Sequence, residues 1–141
     1  MTRPTFALAA VLAAALLAGC AAGHRNPVDP VSNAGKLDFS DVLARRPDFR
    51  EPFLRDGVVT QPERFRAIKP GLPQAQVQAA LGQPLSQRNG PGGTEWDYDF
   101  KFRMPQSGNH IVCQYKVLFD DGQAVRDAVW RRQQCLDLAG R

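Results

Sequence analysis

Glu95-Trp96-Asp97-Tyr98-Asp99-Phe100-Lys101-Phe102 is the stretch that decides the fold. The alternation is strict, so on a strand Trp96, Tyr98, Phe100 and Phe102 share one face while Glu95, Asp97, Asp99 and Lys101 share the other. Four rings on one face make this the heaviest hydrophobic element of the chain. Asn89-Gly90-Pro91-Gly92-Gly93 before it reads as a loop by composition, and Pro105 to Gly108 ends it. A second strand is predicted from His110 to Phe119, with Ile111, Cys113, Tyr115, Val117 and Phe119 on one face. Asp120-Asp121-Gly122 is a hairpin signal leading to a third strand, Ala124 to Trp130. That last strand alternates poorly. A bulge or a sheet covered on both faces would each explain it.

The aromatic face needs a second layer, and the preceding residues supply one. Thr60-Gln61-Pro62-Glu63 has the form of a capping box, with Pro62 in the first turn of a short helix that carries Phe65 and Ile68 and ends at Pro70-Gly71. A second helix is predicted from about Pro73, with Val77, Ala80 and Leu81 on one face, Gly82 as the left-handed stop and Pro84 preventing continuation. Helices this short do not stand alone. The expected architecture is α+β: two short helices packed on a three-stranded antiparallel β-meander, a two-layer sandwich.

The N-terminus has the layout of a secretory signal peptide: Met1 and Arg3, an apolar run from Phe6 to Ala18, then small residues leading to a cysteine. The run is short for a membrane span, which needs roughly 20 residues, so an uncleaved anchor helix is the weaker reading. Leu17-Ala18-Gly19-Cys20 resembles the lipobox of bacterial lipoproteins, which implies that residues 1–19 are removed and that Cys20 is acylated. Ala21 and Ala22 follow, without the Asp of the inner-membrane retention signal, which implies the periplasmic face of the outer membrane. Residues 20–35 hold almost no large apolar side chain and are expected to form a flexible tether. Residues 36–59, interrupted by Pro47 and Pro52, are expected to form an irregular arm whose Phe49, Phe53 and Leu54 dock on the domain or on a partner. The domain is expected over 60–135, with 136–141 as a tail.

With Cys20 acylated, Cys113 and Cys135 are an even pair in an oxidising compartment, and a structural disulfide is the natural reading. Two cysteines without a neighbouring His fall short of a structural zinc site, so no metal is expected. The formal charge is +4, and the basic residues are spread among Asp and Glu rather than gathered in a run. This argues against nucleic acid as a partner and leaves a weak attraction to anionic phospholipid head groups.

Ile68-Lys69-Pro70-Gly71-Leu72-Pro73-Gln74-Ala75-Gln76-Val77 followed by Leu81-Gly82-Gln83-Pro84, then Trp96-Asp97-Tyr98 and Val117-Leu118-Phe119-Asp120-Asp121-Gly122, resemble the SmpA/OmlA (BamE-like) family of outer-membrane lipoproteins. Arg46-Pro47-Asp48 resembles the start of the family's N-terminal arm, so the resemblance spans roughly residues 46 to 130. It implies a BamE-like sandwich, no cofactor, and an accessory role beside the β-barrel assembly proteins. In the family the arm lies near the surface used for partner and phospholipid contact, which makes Arg46, Pro47, Asp48, Phe49 and Phe53 the candidate partner-binding residues. Two departures stand out. Leu72-Pro73 replaces the family's Ser or Thr helix cap, and Phe49-Arg50-Glu51-Pro52 replaces its Ile/Val-x-Gln-Gly motif.

Nothing in the residues reads as an enzyme. Asp97 and Asp99 on a strand face are more simply solvated than catalytic, neither His24 nor His110 has a nucleophile arranged around it, and Asp120-Asp121-Gly122 is too brief for a calcium loop. A periplasmic protein-binding or enzyme-inhibitor domain of β-lactamase-inhibitor-like shape is the alternative function, because fold alone does not settle function.

Overall fold

The computed structural model describes residues 29–40, 58–90 and 92–140. Its centre is the aromatic strand, here β2 (Gly93–Arg103), paired antiparallel along its length with β3 (His110–Phe119). Trp96 faces Val117, Tyr98 faces Tyr115 and Phe100 faces Cys113, so both strands send their large apolar side chains to one side. β4 (Val125–Trp130) follows on the far side of β3. Asp127 pairs with Leu118 but Val125 pairs with Phe119, which leaves Arg126 as an extra residue. That bulge accounts for the broken alternation of β4.

The sheet has four strands, not the expected three. β1 (Ser86–Gly90) precedes β2 and the order is β1-β2-β3-β4. Asn89 and Gly90, expected in a loop, end β1, and Gly90 pairs with Gly93 across the hairpin. Polar, exposed and without period-two hydrophobicity, Ser86-Gln87-Arg88-Asn89 carries no strand signal of its own; backbone pairing to β2 alone makes it a strand. Beyond β1 the edge of β2 is taken by the end of the arm: Val58 bridges Lys101, and the Val59 N–H donates to the Lys101 carbonyl at 2.8 Å.

The helical layer also differs in detail. Pro62–Ala67 is a 3-10 helix, and the expected capping box does not form: Gln61 is at the cap and its side chain makes no capping hydrogen bond. Phe65 nonetheless points inward, its ring 4.8 Å from Phe100, 5.0 Å from Trp130 and 5.6 Å from Tyr115, between centroids. α1 (Gln74–Leu81) buries Val77 and Leu81 and ends at Gly82, where φ is positive at 83° as expected of a glycine stop, although ψ of −169° takes it out of the left-handed helical conformation. Pro73 provides no side-chain cap; instead the Gln74 N–H donates to the Gln123 carbonyl in the β3–β4 turn at 3.0 Å. Tertiary contact thus replaces a cap worth about 1 kcal/mol.

An unanticipated helix, α2 (Gln133–Ala139), crosses the expected domain boundary at Cys135 and buries Cys135 and Ala139. Cys113 of β3 and Cys135 are joined, their Cα atoms 5.5 Å apart. Seven residues are too few for an amphipathic pattern to stand out, and it is packing plus this bond that holds them. Residues 29–40, expected as tether and arm, lie against the domain. Asn33 is 1% exposed and its amide brackets Leu37, accepting from the Leu37 N–H at 2.8 Å and donating to the Leu37 carbonyl at 2.9 Å. Local hydrogen bonding rather than apolar burial orders this segment, which is why its composition reads as a tether.

Candidate partner-binding surfaces

Two surfaces of the described residues offer shape or concentrated charge. The first is a groove of about 410 Å³ between the 3-10 helix and α2. Tyr115, Ala128 and Trp130 from the sheet line it together with Phe65, Leu136 and Ala139, and the exposed Arg66 and Lys69 stand on its wall. The sequence puts each there by period: Tyr115 and Trp130 face one another across β3 and β4 with ring centroids 4.4 Å apart, and residues 136 and 139 share a helix face. An apolar floor with cations on its wall suits an apolar side chain flanked by an acid. The Tyr115 hydroxyl is pushed well above the ordinary tyrosine range, by burial first and then by the charge of Asp127, so it remains protonated and is no general base. Burial does the same to Tyr98, whose hydroxyl donates to the Gly82 carbonyl at 3.1 Å.

The second surface is the opposite sheet face. Asp97, expected to be solvated, is half of a charge ladder. Its carboxylate lies 2.6 Å from Lys116 Nζ and 3.5 Å from Arg88, and Glu95 lies 3.1 Å and 3.3 Å from the same two cations. Cross-strand register explains this, because Asp97 pairs with Lys116 on β3 and Glu95 with Arg88 on β1. The Phe39 ring lies 5.3 Å from Lys116 Nζ, and the Gln114 side-chain amide donates to the Ser40 carbonyl at 2.6 Å. Strand alternation alone does not fix the register that sets Asp97 opposite Lys116, and the Arg88 contacts depend on β1, which carries no strand signal. Lys116 alternating with apolar neighbours on β3 was the available signal.

Of the residues singled out from sequence, Cys113 and Cys135 are described, and their bond ties α2 beside the groove. Cys20, Arg46, Pro47, Asp48, Phe49 and Phe53 lie outside the described residues. Among the described residues no three His, Cys, Asp or Glu side chains gather into a metal site, and no helix is long and apolar enough to cross a membrane.

The match to known proteins follows the same fold. Residues 57–128 match the outer membrane protein assembly factor BamE domain, a span that runs from the end of the arm that pairs with β2 through all three hairpins into β4. The lost helix cap and the bulged β4 fall inside the matched span, and neither breaks the aromatic register on which the sandwich is built. By that match, over half its length, this chain belongs to the BamE family of outer membrane protein assembly factors.

Proposed function

We propose that this protein is a non-enzymatic lipoprotein of the outer membrane's periplasmic face, acylated at Cys20, and an accessory subunit of the machinery that inserts β-barrel proteins. The observation that carries this reading is the family match over residues 57–128; the lipobox at Leu17-Ala18-Gly19-Cys20 supports the anchor. Confinement to the membrane plane raises the effective concentration of the protein at an embedded partner, so a modest contact suffices. We assign that contact to the arm, with Arg46, Pro47, Asp48, Phe49 and Phe53 as the residues that touch the partner, beside the exposed edge strand β1. The Cys113–Cys135 disulfide is assigned a structural role.

Affinity recovery from detergent-solubilised outer membranes tests the reading. The β-barrel assembly proteins are expected to co-purify, and recovery of a soluble hydrolase in their place would overturn it. Cys20→Ala is expected to abolish membrane retention on fractionation. Phe49→Ala with Phe53→Ala is expected to abolish partner recovery at an unchanged melting temperature; a large drop in that temperature would mean that the two rings belong to the domain.

A further inference from the structure

Residues 29–40 run outside the two-layer sandwich yet are fastened to it at both ends. At the first end, Asp29 Oδ2 accepts from the backbone N–H of Gln133, the first residue of α2, at 2.7 Å, while Oδ1 accepts from the Val31 N–H at 2.9 Å. At the other, the Ser40 carbonyl accepts from Gln114 on β3 at 2.6 Å and from Arg131 at 3.3 Å. Between them the buried Asn33 closes the turn on Leu37.

The position of the first clamp matters because of what precedes it. Nine peptide steps separate Cys20 from Asp29. A chain spans at most about 3.3–3.6 Å per residue, so full extension gives a leash of about 30 Å. That is about the diameter of a small domain. A leash so short, attached at one end of the domain, does not let every side reach the membrane equally.

We propose that the end of the domain built from the Asp29–Leu37 turn and the first turn of α2 faces the bilayer and contacts its headgroup surface. This orientation rests on the acylation of Cys20. The exposed side chains at that end fit the assignment. Val31 is 71% exposed, a large apolar residue of the turn; Lys36 of the same turn and Arg132, which precedes the clamped Gln133, are also exposed. An exposed apolar side chain together with cations is the composition that settles at the boundary of head groups and acyl chains. β1, at the opposite edge of the sheet from β4, then points away from the bilayer and stays open to a partner.

The test uses the full-length acylated protein in vesicles of phosphatidylethanolamine and phosphatidylglycerol doped with a headgroup-nitroxide lipid. A fluorescent amino acid is incorporated either at Gln134 on α2 or at Gln87 on β1, and quenching is compared. Several-fold stronger quenching at Gln134 is expected. Asp29→Ala with Asn33→Ala undoes the first clamp and leaves Ser40 as the next hold, twenty steps from Cys20, a leash of about 70 Å. The contrast should then fall toward zero while the Cys113–Cys135 bond and the near-ultraviolet circular dichroism stay unchanged. Equal quenching at the two positions in protein whose mass shows the acyl chains would overturn the orientation alone. A mature protein whose mass shows no acyl chains would overturn the anchor, and the orientation with it.

Discussion

Lys116 Nζ lies 2.6 Å from the Asp97 carboxylate across the β2–β3 pair, and the lysine side chain is 1% exposed. A charge so buried is tolerated only because Asp97 and Glu95 both face it and Phe39 covers it. Arg88, about half exposed, balances the second negative charge of the pair.

Removing both anions while keeping the lysine is therefore expected to destabilise the domain strongly. Breaking a buried pair from one side costs about 3–5 kcal/mol, whereas an apolar replacement of all partners is often close to neutral. Urea unfolding of Glu95→Gln with Asp97→Asn should show the loss, and adding Lys116→Met should recover most of it. A triple variant no more stable than the double would show that the ladder is not what holds Lys116.

Gly93 begins β2 at φ 108°, and a Cβ there would collide with the Phe119 carbonyl oxygen on β3. Gly82 also has a positive φ, but a Cβ there meets open space. Gly82→Ala should cost only the backbone strain, about 1–3 kcal/mol, because its φ of 83° with ψ of −169° is a region essentially confined to glycine. Gly93→Ala should cost distinctly more because the β2–β3 backbone must shift as well. Equal midpoints for the two variants in chemical denaturation would contradict the close approach.

The Cys113–Cys135 bond closes a loop of sequence separation 22 and holds α2 against β3. Non-reduced peptide mass spectrometry of protein taken from the periplasm should find the two cross-linked. Loss of the bond in Cys113→Ala with Cys135→Ala should lower stability by about 3 kcal/mol on the chain-entropy model. Two free thiols in the native protein would remove the bond from the account.

Acidification should release the first clamp only below the ordinary carboxylate range. The Asp29 carboxyl is held below its ordinary value, chiefly by the Gln133 N–H and then by the Val31 N–H. A depressed folded-state pKa means that the docked state is favoured above the ordinary carboxylate value, about 3.9, and loses that advantage as pH falls through the lower, folded value. Hydrogen-exchange protection of the Gln133 amide, corrected for intrinsic rate, should be flat between about pH 5 and 8. The Asp29→Asn variant should lower that protection across the same range. Full protection in that variant would show that the carboxylate does not hold the helix.

The aromatic faces of β2 and β3, the Asp120-Asp121-Gly122 hairpin and the inward face of Val77 and Leu81 are all legible along the chain. Each of these is a local pattern: period two, a turn dipeptide, a helical repeat ended by glycine. Tertiary structure alone decided the rest. Ser86–Gly90 is a strand only because β2 offers it a partner, Gln74 is capped only because Gln123 lies across from it, and Gln133–Ala139 is a helix fastened by Cys113 and Asp29. Asp97 reads as a solvated carboxylate until pairing places Lys116 opposite. Such features depend on residues distant in the chain meeting in space, and hydrophobic periodicity is blind to a backbone that finds its hydrogen bonds in another segment.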